Sequence, residues 1–463
     1  MPVQKFAPMT KDFPSFDCDA HVTEPPWLWE RAKDHLSKDE FEALRNSFFF
    51  DPESKRILAN GIAYSGPATL FHGNTGMLNV LSLAGPGVSH DIERALYVRN
   101  LRRDRAITKE QADYLDHKGS YLPEPRLRDM DIQGIDQVMI IPSDFEAYPW
   151  IQSAAGARAM CKAYNDWAYE YCQANPERLF FAALLPLQDA KFAEAEVYRV
   201  ADKGCRVGLI RPIDALGNYP LQPKYSRVWR AMEETGVVYG MHPFPCLGVL
   251  KPPGYTEQAS GSELIALTAS SSELPHNFLT NVQNFQAEAS LWVTLALMSG
   301  FFERHPKLKA AVFEASSTWL TFLLDECDKN YELYRNDRRM APLKRMPSET
   351  FLAHCVTGFE GDEAPPSRLP DFYENILAWS SDVYHHDGDD VWRAIATMRK
   401  AELPESYQAK FLGANARKMY GIPEPKSFIR ERVTEIERPD WWPTDAEIRE
   451  ALKPEAALRN RGK

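Results

Sequence analysis

Asp19 and His21 stand two residues apart on a short apolar run, Phe16-Asp-Cys-Asp-Ala-His-Val22, and Glu24-Pro25-Pro26 follows directly. In an extended strand alternate side chains share a face, so this carboxylate and this imidazole point the same way. The pair suits a divalent metal. A strand end capped by polar groups has the same composition, so the segment alone does not decide. Three later runs end in residues of the same kind: Met241-His-Pro243, Val312-Phe-Glu314 and Ser381-Asp382. Together they offer the imidazoles of His21 and His242 and the carboxylates of Asp19, Glu314 and Asp382. Such a set is hard to borderline in ligand character and suits Zn, Mn or Fe better than a thiolate-loving metal. His242 taken singly can be a satisfied core histidine. A buried Glu314 needs a metal or an arginine partner, because an unpaired buried charge is costly.

These residues need a scaffold that brings strand ends together. Eight β-type runs are readable: Ser15–Val22, Asp136–Pro142, Leu179–Pro186, Cys205–Pro212, Val237–Pro243, Leu308–Glu314, Leu352–Gly358 and Asn375–Asp382. Their near-continuous apolar character is what strands buried on both faces require. Helical periodicity occupies several intervals, at Ala155–Ala174, Ala190–Lys203, Trp292–Phe302 and Thr318–Tyr334, and their aromatic residues read as core. Strands alternating with helices imply right-handed crossovers and a parallel sheet. Eight such units predict an α/β fold, a (β/α)8 TIM-type barrel whose chemistry sits at the C-terminal strand ends. The expected division is an N-terminal arm over 1–15, a barrel over 16–421 and a C-terminal extension over 422–463. Two insertions, about 23–126 and 244–283, start at the expected catalytic end and read as lids. The extension carries Trp441-Trp442-Pro443 and a capping box, Thr444-Asp-Ala-Glu447, which starts a helix. It is expected to pack on the barrel or on a second subunit.

Composition narrows the class. With 44% hydrophobic and 26% charged residues the 463-residue chain is globular in type. A net charge of -11 argues against a nucleic-acid or anionic-membrane partner. The start, MPVQKFAPMTKDFPSF, does not read as a signal peptide, and no apolar run approaches membrane-spanning length. Seven scattered cysteines without CxxC spacing read as reduced thiols. The expectation is a cytoplasmic enzyme acting on a small molecule, as a homo-oligomer or with a related subunit.

The residues also carry a family resemblance. Asp17-Cys-Asp-Ala-His-Val-Thr-Glu-Pro25, Arg126-Leu-Arg-Asp-Met-Asp131, Met241-His-Pro243, Phe302-Glu-Arg-His-Pro-Lys-Leu308, Phe313-Glu314 through Trp319, and Ser381-Asp382 with His385 and Asp387 are similar to the amidohydrolase-related family (amidohydrolase family 2) of the metal-dependent hydrolases. Aminocarboxymuconate-semialdehyde and resorcylate decarboxylases are relatives there. The family often carries HxH on strand one, His on strand six and Ser-Asp-Tyr-Pro-His on strand eight. Here Asp19, Glu314 and Val383-Tyr384 stand instead, and Arg211-Pro212 occupies strand four where a carbamylated lysine would be. A lysine-bridged two-zinc site is therefore not expected.

The resemblance implies one or two divalent transition-metal ions held by Asp19, His21, His242, Glu314 and Asp382. The main expectation is hydrolysis of an amide, ester or thioester by a metal-activated water, with Asp382 as general base. Non-oxidative decarboxylation of an aromatic acid is the alternative. Dinuclear Fe or Mn/Fe chemistry, with Glu24 and His385 feeding a second metal, is another, and a non-catalytic barrel subunit is the non-enzymatic one. His385 is a catalytic candidate that orients substrate or serves as a second acid; a surface-loop histidine is the plainer reading. His386 is expected to have no role. Arg211 and Trp319 are the substrate-binding candidates. Arg211 offers a planar fork for a carboxylate, although a structural ion pair with a barrel carboxylate is the favoured reading. Glu24 otherwise reads as an exposed carboxylate at a helix start.

Overall fold

The computed structural model describes residues 2–51, 53, 56–59, 61–63, 71–72, 75–77, 86–87, 92–103, 106–211, 220–243, 282–283, 285–385 and 388–459. Its centre is an eight-stranded parallel sheet: β1 (Phe16–His21), β2 (Gln137–Ile141), β3 (Leu179–Leu184), β4 (Val207–Ile210), β5 (Val238–Met241), β6 (Ala310–Val312), β7 (Cys355–Glu360) and β8 (Leu377–Ser380). Each strand pairs with its sequence neighbour. The ring closes where β8 runs out beside β1. There the Asp382 N–H donates to the Asp19 carbonyl (3.0 Å) and the Ser381 N–H to Asp17 Oδ1 (3.0 Å). A carboxylate thus does the work of a strand ladder at the seam. The fold is a TIM-type barrel, and the strands are buried on both faces.

Helices cover the outside where the sequence periodicity places them. Ala154–Cys172 starts at the Ser153 cap, Ala190–Asp202 at the Asp189 cap, and Thr318–Tyr334 follows β6. Tyr164 and Trp167 on the first of these, and Trp292 on helix Phe285–Met298, are core as expected, but Tyr198, Phe322 and Tyr334 are exposed, so the aromatic residues are core only on the inward faces. Three expected boundaries move. Strand seven was expected from Leu352, but Leu352–His354 closes a helix opened by Pro347, and β7 begins at Cys355. Proline at the first helical position pre-sets the helix that wins that stretch. β6 stops at Val312 because Glu314 turns into the left-handed region, φ 41°. The Trp292–Phe302 helix runs Phe285–Met298 and breaks at Gly300, φ 69°, before a short turn over Phe301–Arg304.

The first insertion contains helices Pro26–His35 and Lys38–Ser47, a small antiparallel sheet of Phe48–Asp51, Arg56–Ala59 and Ile62–Ala63, and helices Ile92–Arg103 and Lys109–Tyr114 before Pro123–Gln133 returns to the barrel. The second insertion lies outside the described residues except for 282 and 283. The C-terminal extension folds back within the same chain. Glu435–Glu437 pairs with Val3–Lys5, and helix Asp445–Arg459 starts at the expected Thr444–Glu447 box and packs on Ile92–Arg103. No described helix is long and apolar enough to cross a membrane.

Candidate metal centre

β1 supplies two site residues. Asp19 and His21 share a face as their spacing requires, with His21 Nε2 3.6 Å from Asp19 Oδ1. The β1–β2 register shifts between Asp17 and Ala20, a bulge of the kind found beside active sites. β5 ends in His242, whose Nε2 lies 3.7 Å from Asp19 Oδ2. β8 ends in Asp382, whose Oδ1 lies 3.4 Å from His21 Nε2. Glu314, past β6, brings Oε2 to 3.4 Å from His242 Nε2. His385 stacks on His21 at 3.9 Å between ring centres and sets Nδ1 2.8 Å from Asp382 Oδ1. The five candidate ligands and His385 therefore converge on one spot.

The spacing fits a divalent metal, with His21 shared by two groups of candidate ligands, one with Asp19 and His242 and one with Glu314, Asp382 and His385. Tetrahedral ligands about 2.1 Å from a shared ion stand roughly 3.4 Å apart. Second-partner contacts fix both imidazoles. His21 Nδ1 faces the Pro142 carbonyl (3.0 Å) and Ser143 Oγ (3.2 Å), and His242 Nδ1 faces the Pro243 carbonyl (2.7 Å). An N–H at each Nδ1 leaves the Nε2 lone pair for an ion. Asp19 Oδ1, Asp19 Oδ2 and His21 Nε2 are buried and have no hydrogen-bond partner. Buried polar atoms are ordinarily paired, so these three call for a cation.

The electrostatics agree. Burial, then Asp382 and Asp17, push the Asp19 carboxyl well above its usual range. Burial holds His21 well below its usual value, with His385 and His242 adding to it, and burial brings His242 down to about 3. The imidazoles are thus neutral donors. A bound cation reverses the direction at the carboxylates. Glu314, Ser316 and Asp382 have φ of 41°, 54° and 53°, strained values for residues with a Cβ. Such strain costs of order 1–3 kcal/mol each and collects at functional sites.

The remaining candidates have partners outside the ligand set, and for Arg211 this is the structural ion pair the sequence favours. Glu24 is buried rather than exposed, and accepts the backbone N–H groups of Asp144 (2.9 Å) and Phe145 (3.4 Å). It holds the loop after β2 and is not among the converging ligands. Arg211 is engaged by Glu288, with Nη2 to Oε1 at 2.6 Å and Nε to Oε2 at 3.3 Å. The Trp319 indole N–H donates to the Ala315 (2.7 Å) and Ser316 (2.9 Å) carbonyls, so its polar edge supports the strained turn after Glu314. His386 and Asp387 lie outside the described residues.

Other residues support the site without having been singled out. Asp17 accepts from Ser381 N–H and Oγ–H, and burial raises its pKa to about 7. Arg126 donates through Nη2 to the His21 carbonyl and places its guanidinium 4.5 Å from the Tyr384 ring. Tyr384 donates to Asp129 Oδ2 (2.6 Å). Gly119 is required beside it, since a Cβ there would stand 1.8 Å from the tyrosine oxygen. The Arg126–Asp131 run was visible in sequence, but nothing local to it says that it braces strands one and eight.

A family model described as Amidohydrolase matches residues 16–422. The chain belongs to the amidohydrolase family. It is 31% identical over 322 residues to gamma-resorcylate decarboxylase of Rhizobium sp. (strain MTP-10005), covering 66% of this chain and 90% of that protein. Among solved structures, an amidohydrolase from Mycobacterium avium subsp. paratuberculosis K-10 superposes with a TM-score of 0.62 at 19% identity, over 89% of this chain and 100% of that one. The 5-carboxyvanillate decarboxylase of Sphingomonas paucimobilis gives 0.57 at 18%, over 89% and 100%. That of Novosphingobium aromaticivorans DSM 12444, with bound manganese, gives 0.58 at 15%, over 88% and 97%. At these identities the structural likeness shows the amidohydrolase fold alone.

Proposed function

We propose that this amidohydrolase-family enzyme is a metal-dependent, non-oxidative decarboxylase of a hydroxylated aromatic acid. One observation carries the choice over hydrolysis: the likeness to a gamma-resorcylate decarboxylase across 90% of that protein. The site geometry supports it. Asp19, His21, His242 and Asp382 would hold the ion, with Glu314 as a further ligand or close partner. When bound, a divalent ion supplies positive charge for the substrate's carboxylate and neighbouring oxygen.

The chain's own residues handle the proton. Asp382, with His385 Nδ1 2.8 Å from its Oδ1, is the acid that delivers a proton to the ring carbon bearing the carboxylate. That carbon gains a C–H bond. The bond to the carboxylate then breaks, its electrons remain with the ring, and CO2 leaves. His385 orients Asp382 and returns its proton from solvent. Arg126 and Asp17 keep His21 and the β8 end in place. Hydrolysis would use the same Asp382 oxygen as a base toward water, and only the family's general description favours it.

The test is manganese-loaded protein with 2,6-dihydroxybenzoate and with 5-carboxyvanillate in deuterated water. Decarboxylation releases CO2 and leaves one deuterium on the vacated carbon. Turnover of ester, amide or thioester substrates with no CO2 from either acid overturns the assignment.

A further inference from the structure

The decarboxylase reading leaves the substrate's charge open. The relatives' substrates differ in this respect: a resorcylate has one carboxylate, and 5-carboxyvanillate has two. Beside His242 lies a narrow cavity walled by Tyr148, Leu184, Leu209, Ile210, Pro243 and Arg211. Leu184, Leu209 and Ile210 are apolar and buried. The Tyr148 hydroxyl is committed to the barrel, donating to the Leu209 carbonyl at 3.0 Å. Arg211 is the cationic residue among the described residues of this wall, which it shares with His242.

Its charge is already matched. Glu288, on helix Phe285–Met298, meets the guanidinium along its Nε–Nη2 edge at 3.3 and 2.6 Å. The side chains are 7% and 1% exposed, so water screens the pair little. Two-point pairing of this kind is strong and geometrically specific. The pair adds no net charge to the wall. A second substrate carboxylate entering here would have to displace a tethered carboxylate or lie unpaired against leucine and isoleucine, and both are costly. A ring edge bearing hydrogen or hydroxyl meets neither penalty.

Resting on the decarboxylase reading, we propose that the Arg211–Glu288 pair restricts this site to aromatic acids with a single carboxylate, the one that is lost. Glu288 is then a specificity-determining residue, because it cancels the arginine that a dicarboxylate would use.

Binding to the manganese-loaded protein, followed by calorimetry, tests this separately from turnover. The probes are 2,6-dihydroxybenzoate and 5-carboxyvanillate. Wild-type protein is expected to bind the monocarboxylate roughly a hundredfold more tightly, the scale of an unpaired buried anion. Glu288→Gln removes the carboxylate charge that faces the guanidinium and is expected to raise the ratio of dicarboxylate to monocarboxylate affinity at least about tenfold. If that variant does not fold, the double change Arg211→Met with Glu288→Met removes both charges and is expected to keep the monocarboxylate preference. Equal binding of the two acids by wild-type protein overturns the proposal. So does a Glu288→Gln ratio that stays unchanged, or a double variant that prefers the dicarboxylate. Monocarboxylate binding without CO2 release sinks the reaction assignment while leaving the charge selection standing. Failure of both acids to bind overturns the two readings together.

Discussion

His242 and Asp382 both face the same buried ligand cluster, yet they are expected to fail differently when replaced. His242 offers one neutral Nε2 between Asp19 and Glu314. His242→Ala removes a ligand, so most bound metal is expected to be lost on elemental analysis of the purified protein. A variant with full metal content removes His242 from the ligand set. Asp382→Asn keeps the shape and an oxygen but removes the ionisable group beside His385. It is expected to retain much of its metal and to lose about two or more orders of magnitude in turnover, the scale of a missing acid/base group. Near-normal turnover would refute the role of Asp382 in proton transfer.

At the scale of elements, the loop after β8 is held from outside the barrel. Val383 and Tyr384 pack with Val98 and Leu115 of the first insertion and with Trp442 of the C-terminal extension, a small core apart from the main one. Arg94 and Arg438 lie over the Trp442 ring at 4.9 and 4.7 Å. Arg94 also donates to the Pro443 carbonyl (2.7 Å) and to Asp445 Oδ1 (2.9 Å). The tail therefore bears on the segment that carries Asp382 and His385. Truncating a buried tryptophan to alanine costs about 3–5 kcal/mol where it packs. In Trp442→Ala that loss is local, and kcat is expected to fall several-fold with metal content preserved. A variant that melts earlier but turns over at the wild-type rate would limit Trp442 to stability.

Across the whole molecule, metal acts on stability through the ring of strand ends, and pH acts through groups both there and far from it. The ion binds the folded ring and has no such site in the unfolded chain. At a free metal concentration about a hundredfold above Kd it contributes about 2.7 kcal/mol, or roughly 3 °C in a chain of this length. Chelation is expected to lower Tm by that order, and an unchanged Tm would mean that no ion occupies the folded ring. Far from the centre, burial lowers the pKa of His305, against Glu233, and of His354, whose Nδ1 faces the Leu308 carbonyl at 2.9 Å. The unfolded chain binds these protons more readily, so their contribution is complete above about pH 6.5 and is lost as pH falls through the lower folded values. Buried carboxyls such as Asp17, raised to about 7, act in the opposite direction, so the expected signature is a difference: between about pH 7.5 and about pH 5.5 the wild-type urea midpoint drops further than that of a variant with both histidines changed to asparagine. An identical drop in that variant would assign it to other groups.

Strand alternation alone put Asp19 and His21 on one face, and the rhythm of apolar runs and amphipathic helices was enough to predict a barrel, because both are properties of consecutive residues. A parallel barrel gathers its C-terminal strand ends, so His242, Glu314 and Asp382 were legible as partners from strand order. What lay beyond sequence depends on pairings between distant segments. Glu288 becomes the neighbour of Arg211 only when its helix docks on the barrel. Arg126 meets the His21 carbonyl, and Trp442 joins the small core that holds Val383 and Tyr384, only after insertion and tail have folded over the seam. Glu24 was legible as a second-metal or supporting carboxylate, with an exposed helix-start residue as the alternative; the loop after β2 buries it and supplies the N–H donors that hold it. Local periodicity encodes which way a side chain faces. Which group meets it there is decided by tertiary packing.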